Sequence, residues 1–225
     1  MQTPTSPVVA AFDLDGTLTE GGSVFPWLRH VAGNGGTYWA ALRLIVPLTI
    51  GAVRSSKWAD SAKEQLFCEL LTGQDEVQLR AISRNFAIDH LSHKARATTV
   101  ARLEWHRAQG HEILIVSASP QMYVEVVVEL LHAHGALGTR LAVNQMGLMT
   151  GRYLGKNCRG TEKIRRLNEW IAQRDYAVEP IIYAYGNSRG DRRLLEGATY
   201  PFDAGKLGRF GALRQYPRVR RLPID

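Results

Sequence analysis

Residues 8–14 read VVAAFDL, an apolar run interrupted only at Asp13 and lacking the alternation of a half-exposed strand. A strand apolar on both faces must be covered on both, which is the condition of a central strand in a parallel sheet flanked by helices. The runs at 113–116 and 181–185 have the same character. Between them lie helical patterns: 120–134, stopping at Gly135, and 161–173, with Ile164, Leu167 and Ile171 on one face. Alternation of this kind specifies an α/β chain with a doubly wound, Rossmann-like parallel sheet. Residues 141–154, LAVNQMGLMTGRYL, hold two short β-like runs around a glycine and read as a hairpin.

The first two strands are separated by about ninety residues, far more than one crossover helix needs. That interval is helical in pattern, so a helical cap over 23–92 is expected, inserted into a core of 1–22 and 93–225. Within it, 38–53 (YWAALRLIVPLTIGAV) is strongly apolar, yet Arg43 and Pro47 interrupt it. It falls short of the roughly 20 residues that span a bilayer and reads as a buried or interfacial helix.

With 225 residues, 45% of them apolar and 22% charged, the chain has the composition of a globular domain, which excludes disordered and fibrous classes. Cys68 and Cys158 are too few for a disulfide framework and suit a reducing, cytoplasmic setting. The first residues show no basic and apolar leader. A net charge of +7 points to anionic partners. Six Lys or Arg against one Asp fall in 206–225, which reads as a solvated basic tail; nucleic acid is the less favoured anion.

In a doubly wound sheet, ligands gather at the carboxyl ends of the strands. The first run ends in DLDGT, where alternation along an extended chain would point Asp13 and Asp15 the same way. Two like charges so close disfavour joint ionisation unless a cation or a shared proton sits between them, and Mg²⁺ resolves this with oxygen ligands. The second run ends in SASP, where Ser117 closes the strand and Ser119 with Pro120 reads as an N-cap and N1 pair, a phosphate-binding helix start. Lys163 falls in the first turn of its helix, where the macrodipole disfavours a cation unless it reaches an anion beyond the end. The third run ends in GNSRGD, with Asn187 and Asp191 as oxygen donors on one turn.

DLDGT (13–17), Ser117, Lys163 in GTEK and GNSRGD (186–191) together resemble the haloacid dehalogenase superfamily of phosphatases, in the branch related to phosphoserine phosphatase with a helical cap after the first strand. The resemblance implies a Mg²⁺-dependent phosphomonoester hydrolase. Asp13 would be the nucleophile and form an aspartyl phosphate, with Asp15 as general acid and base. Thr17, Ser117, Ser119 and Lys163 would hold the phosphoryl group, and Asp13, Asp15, Asn187 and Asp191 would form or orient the metal shell. Asn187 departs from the family, where Asp is commonest, and removes one formal charge; a raised Mg²⁺ requirement is expected.

The substrate expected is a small phosphorylated metabolite or a lipid phosphate. DGTLT lacks the serine that phosphoserine phosphatases usually carry after the second Asp, while 38–53 with the basic tail resembles phosphatidylglycerophosphate phosphatases and suits peripheral contact with an anionic membrane face. Alternative readings are a phosphate- or phospholipid-binding protein with lost catalysis and a phosphoserine phosphatase. His90 and His93 read as a surface turn, His132 and His134 as dipole-favoured residues at a helix end, Cys158 as structural, and Trp27, Trp39 and Trp58 as cap core.

Overall fold

A computed structural model describes residues 6–33, 56–206 and 210–219. Five strands, β1 (Val8–Phe12), β2 (Glu112–Pro120), β3 (Gly135–Thr139), β6 (Ile181–Gly186) and β7 (Tyr200–Asp203), form one sheet in the order β3-β2-β1-β6-β7. All four pairings are parallel. The expected α/β architecture is therefore the one observed, with β1 at the centre.

The unbroken apolar character of β1 and β2 has a direct cause. Ala10, Phe12, Ile113 and Ile115 enter one core, whereas the intervening Val9, Ala11, Leu114 and Val116 enter another. Each strand serves two cores because helices cover both sides. Helix α1 (24–33), α2 (Ser56–Leu71) and α3 (Glu76–Lys94) lie between β1 and β2 in sequence, followed by α4 (Ala97–Ala108). Trp27 of α1, Phe67 of α2 and Phe86 of α3 meet Tyr123 of α5 (Gln121–Leu130) in the first core. The second core takes Leu167 from α6 (Thr161–Ala172) and Leu194 from α7 (Arg192–Glu196). The apolar segment 38–53 and Trp39 lie outside the described residues. No described helix is long and apolar enough to cross a membrane.

The expected hairpin is present as β4 (Leu141–Val143) and β5 (Met149–Tyr153), paired antiparallel. It packs on α2: Tyr153 N donates to Glu64 Oε1 at 2.8 Å and Thr72 Oγ1 to Thr150 O at 2.9 Å. Gly151 permits this approach, since its φ is +71° and a Cβ there would lie 2.4 Å from Cys68 Cα.

Several local readings are corrected. α5 stops at Leu130 rather than His134, because Leu131 caps it and His132 takes a left-handed φ of 47°. His134 Nδ1 then accepts from Ile113 N at 2.9 Å, a link to β2 instead of a helix-dipole contact. His90 is buried and stacked on Phe86, while His93 is exposed. Trp27 is core as expected, but Trp58 is exposed. The tail is not wholly solvated: Leu213 is buried, and Arg218 pairs with Asp203 at 3.1 Å.

The β3 edge, poor in side chains, is closed by other means. Gln121 Nε2 donates to Ala136 O at 3.1 Å while its Oε1 accepts from Gly138 N at 2.6 Å, and Arg166 donates to Gly138 O. The amide thus acts as a one-residue surrogate strand.

On the face of the sheet toward α4, buried His106 contacts Tyr185 Oη through Nε2 at 2.8 Å and His111 Nδ1 through Nδ1 at 2.7 Å. Burial, aided by His111 and Arg102, pushes its pKa from 6.5 down to about 3. A folded pKa below the unfolded one gives stability that is complete above pH 6.5 and lost as pH falls toward 3. Between pH 7 and 5, wild type should lose about 1 kcal/mol per pH unit relative to a His106→Phe variant. Urea unfolding of both proteins across that range checks this.

Candidate active site

The carboxyl ends of β1, β2 and β6 meet at Asp13. Immediately after β1 the chain turns: Leu14 O accepts from the amides of Thr17, Leu18 and Thr19 at 3.2, 3.0 and 3.0 Å. Extended alternation therefore ends at Asp13, and the two carboxylates do not share one set of partners as expected. Asp13 Oδ1 accepts from Lys163 Nζ at 2.6 Å and Oδ2 from Thr17 Oγ1 at 2.9 Å. Asp15 turns to the inserted helices, with Oδ1 accepting from Ser23 N at 2.6 Å and Oδ2 from Ser119 Oγ at 2.7 Å.

Ser119 is thus not the N-cap of α5. β2 extends to Pro120, which occupies the cap position without a side-chain bond, and the Ser119 hydroxyl holds Asp15 with Ser23 Oγ 3.3 Å away. Ser117 is buried near the end of β2, where its Oγ accepts from Ser119 N at 3.0 Å.

Lys163, in the first turn of α6, points back past the helix end and is 2% exposed. Its Nζ lies 2.6 Å from Asp13 Oδ1 and 2.6 Å from Asp191 Oδ1, which explains a cation at that end of a helix. The GNSRGD turn is organised by Asp191, whose Oδ2 accepts from Ser188 Oγ, Ser188 N and Asn187 N at 2.8, 3.0 and 3.2 Å. Asn187 is carried over the DLDGT turn: a Cβ on Gly16, whose φ is +82°, would lie 1.9 Å from Asn187 Nδ2. Gly16 is therefore required twice, for its conformation and for this contact.

The charges are unequally satisfied. Burial and the neighbouring Asp191 charge push the Asp13 carboxyl up to about 7 although Lys163 opposes them. Burial also disfavours the Asp191 anion, but Lys163 and the Ser188 donors outweigh it and hold its pKa below the usual range. For Lys163, burial would lower the pKa, yet Asp13 and Asp191 keep it above the ordinary value. Both carboxylates accept on both oxygens, but Asp191 has four donors against two for Asp13, so the Asp191 anion is the better stabilised.

A cation beside Asp13 would offset the burial that disfavours its anion. Among the described residues no group of three or more His, Cys, Asp or Glu could hold a metal alone. Hard oxygen donors are nonetheless at hand in Asp13, the Asp15 main chain and the Asn187 amide, and they suit Mg²⁺. Because Asp191 already accepts from four donors, it fits the task of orienting the turn better than that of direct ligand.

Three further contributors were not evident from sequence. Ser23 binds Asp15 through its amide, and Arg96 Nη1 donates to Gly16 O at 2.5 Å and also to Ala204 O. Lys63 of α2 donates to Ala118 O at 2.7 Å. None stands in a local pattern; only the fold brings them in. Cys158 is buried, with its thiol pushed up to about 11 by desolvation, and is structural as expected.

A buried carboxylate in contact with a buried ammonium stands where such sheets bind their ligands, and the family and relatives of the chain make it a hydrolase of the phosphatase class. The model of the haloacid dehalogenase-like hydrolases matches residues 10–196, and the chain belongs to that family. Protein CicA of Caulobacter vibrioides is 34% identical over 192 residues, 84% of this chain and 82% of that protein. Histidinol-phosphatase of Neisseria meningitidis is 28% identical over 124 residues, 54% of each chain. Among solved structures, a protein of unknown function from Bordetella pertussis has a TM-score of 0.80 at 24% identity, covering 97% of this chain and 100% of its own. A substrate-bound phosphoserine phosphatase has a TM-score of 0.64 at 15% identity, covering 97% and 95%; these likenesses are of fold.

Lys163→Met leaves two buried carboxylates facing each other without a counterion. It should cost about 3–5 kcal/mol of stability, and Asp191→Asn in the same chain should recover part of that loss. Urea unfolding of both singles and the double variant checks the coupling.

Proposed function

We propose that the chain is a Mg²⁺-dependent phosphomonoester hydrolase acting on a small phosphorylated metabolite through an aspartyl phosphate. The observation that carries this reading is Asp13 held between Lys163 Nζ at 2.6 Å and Thr17 Oγ1 at 2.9 Å. A carboxylate aimed by two donors is placed for attack, and the same donors can pass to the equatorial oxygens of the phosphoryl group. The helices between 23 and 92 serve as the cap and shape the alcohol side of the site.

An Asp13 oxygen attacks phosphorus as the bond to the ester oxygen breaks, and the leaving alkoxide takes the proton of Asp15. Asp15 then removes a proton from water, whose oxygen attacks phosphorus and frees Asp13 and inorganic phosphate. Ser119 and Ser23 fix the Asp15 carboxylate for both transfers. Ser117 and Lys163 bind phosphoryl oxygens, and Asn187, whose amide nitrogen lies over Gly16, would offer its amide oxygen to the metal. Mg²⁺, when bound, offsets charge on Asp13 and the phosphoryl group.

Asp13→Asn should abolish Mg²⁺-dependent phosphate release from an aryl phosphate while the protein stays folded. Release unaffected by the change would sink the reading. Asn187→Asp restores an acidic donor and should lower the half-saturating Mg²⁺ concentration by about tenfold, as one added charge on a hard-ion site implies. Equal half-saturation in the two proteins would refute the role of Asn187.

A further inference from the structure

Lys63 projects from α2 to the end of β2, where Nζ donates to Ala118 O at 2.7 Å. Ala118 lies between Ser117 and Ser119, so this ammonium sits one residue from the phosphate-binding serine and one from the residue holding Asp15. An ammonium has three N–H donors, and the Ala118 carbonyl is the acceptor found for one of them among the described residues.

No carboxylate lies within ion-pairing distance of Lys63 among the described residues. Asp60, one turn earlier on α2, is engaged elsewhere: Oδ1 accepts from Asn157 Nδ2 at 2.6 Å and lies 4.0 Å from the Arg159 guanidinium. The seam between α2 and the strand ends therefore holds Lys63 and Arg159 against Asp60 and Asp15, and neither carboxylate touches the Lys63 ammonium directly. Desolvation brings the Lys63 pKa down to about 8, against the pull of Asp15 and Asp60. A partly buried ammonium with one carbonyl acceptor and no direct carboxylate contact among the described residues keeps N–H donors for an incoming anion.

A second observation concerns His90, whose Nε2 is buried without a hydrogen-bond partner among the described residues and whose ring feels the Asp15 charge. Buried polar atoms left unpaired cost free energy unless something else satisfies them.

We propose that Lys63 selects the alcohol half of the substrate, favouring phosphomonoesters whose alcohol carries a second anionic group, a carboxylate or a further phosphate, within a few bonds of the ester. This rests on the phosphatase reading and names a substrate class for it. The Lys63 ammonium leaves the Ala118 carbonyl or shares a donor with the incoming anion. A cationic alcohol is disfavoured at the same position by repulsion.

The test compares kcat/KM for phosphoglycerate, propanediol bisphosphate, glycerol phosphate, phosphoethanolamine and p-nitrophenyl phosphate, with Mg²⁺, in wild type, Lys63→Met and Lys63→Arg. Wild type should favour one or both esters with an anionic alcohol over glycerol phosphate and phosphoethanolamine. Lys63→Met should lose roughly 10- to 100-fold more on the preferred ester than on p-nitrophenyl phosphate, the worth of one charged hydrogen bond, mostly in KM. Lys63→Arg should recover much of that preference. A change equal for all esters, or a wild type favouring phosphoethanolamine, overturns the proposal while aryl phosphate turnover leaves the phosphatase reading standing. No phosphate release from any ester overturns both. Thermal midpoints of the variants separate loss of preference from loss of fold.

Discussion

The Lys163 ammonium is the constraint on which the strand ends depend. It is the counterion shared by two buried carboxylates from the chain segments after β1 and β6. Removing such a charge costs far more than the pair contributes against an apolar replacement, so all three groups must stay together. The placement requires α6 to start where it does, and the Gly160 N-cap with φ 59° lets the chain enter the helix at that angle. The sharing is unequal. Asp191 accepts from Ser188 and Asn187 as well as Lys163, whereas Asp13 accepts from Lys163 and Thr17, and its anion is the less stabilised of the two.

Much of the fold was legible because the two-core arrangement leaves a one-dimensional trace. When both faces of β1 and β2 are buried, the sequence cannot alternate, and the runs at 8–12 and 113–116 say so. β3 and β7 left little trace for opposite reasons. β3 is GALGT, two of its five residues being glycines forced by Leu114 and Gln121 packing, and β7 is YPFD, an edge strand with a proline.

The site was legible where chemistry is carried by residues next to the strands and illegible where it arrives from afar. Asp13, Thr17, Ser117, Lys163 and Asp191 could be placed from their strand or helix contexts. The divergence of Asp13 and Asp15 could not, since it depends on three amides closing on Leu14 O. Ser119 was misread because SASP looks like a helix start, but parallel pairing of Pro120 with Thr139 continues the strand through it. Lys63, Ser23 and Arg96 come from the interval between β1 and β2 or its flank, where apolar patterning reports packing and is silent about which polar tip reaches the sheet.

The β4-β5 hairpin alters the mechanics of the inserted helices. An insertion joined to a domain by its two chain crossings alone can rock as a body about the line between them. Here a third passage of the chain, returning more than seventy residues after α2 begins, is stitched to α2 at Glu64, Thr72 and Gly73. Three attachment points define a plane instead of an axis. Any displacement of α2 must therefore carry the hairpin with it or break these hydrogen bonds, which ties the seam around Lys63 to a segment that lies between β3 and α6 in sequence.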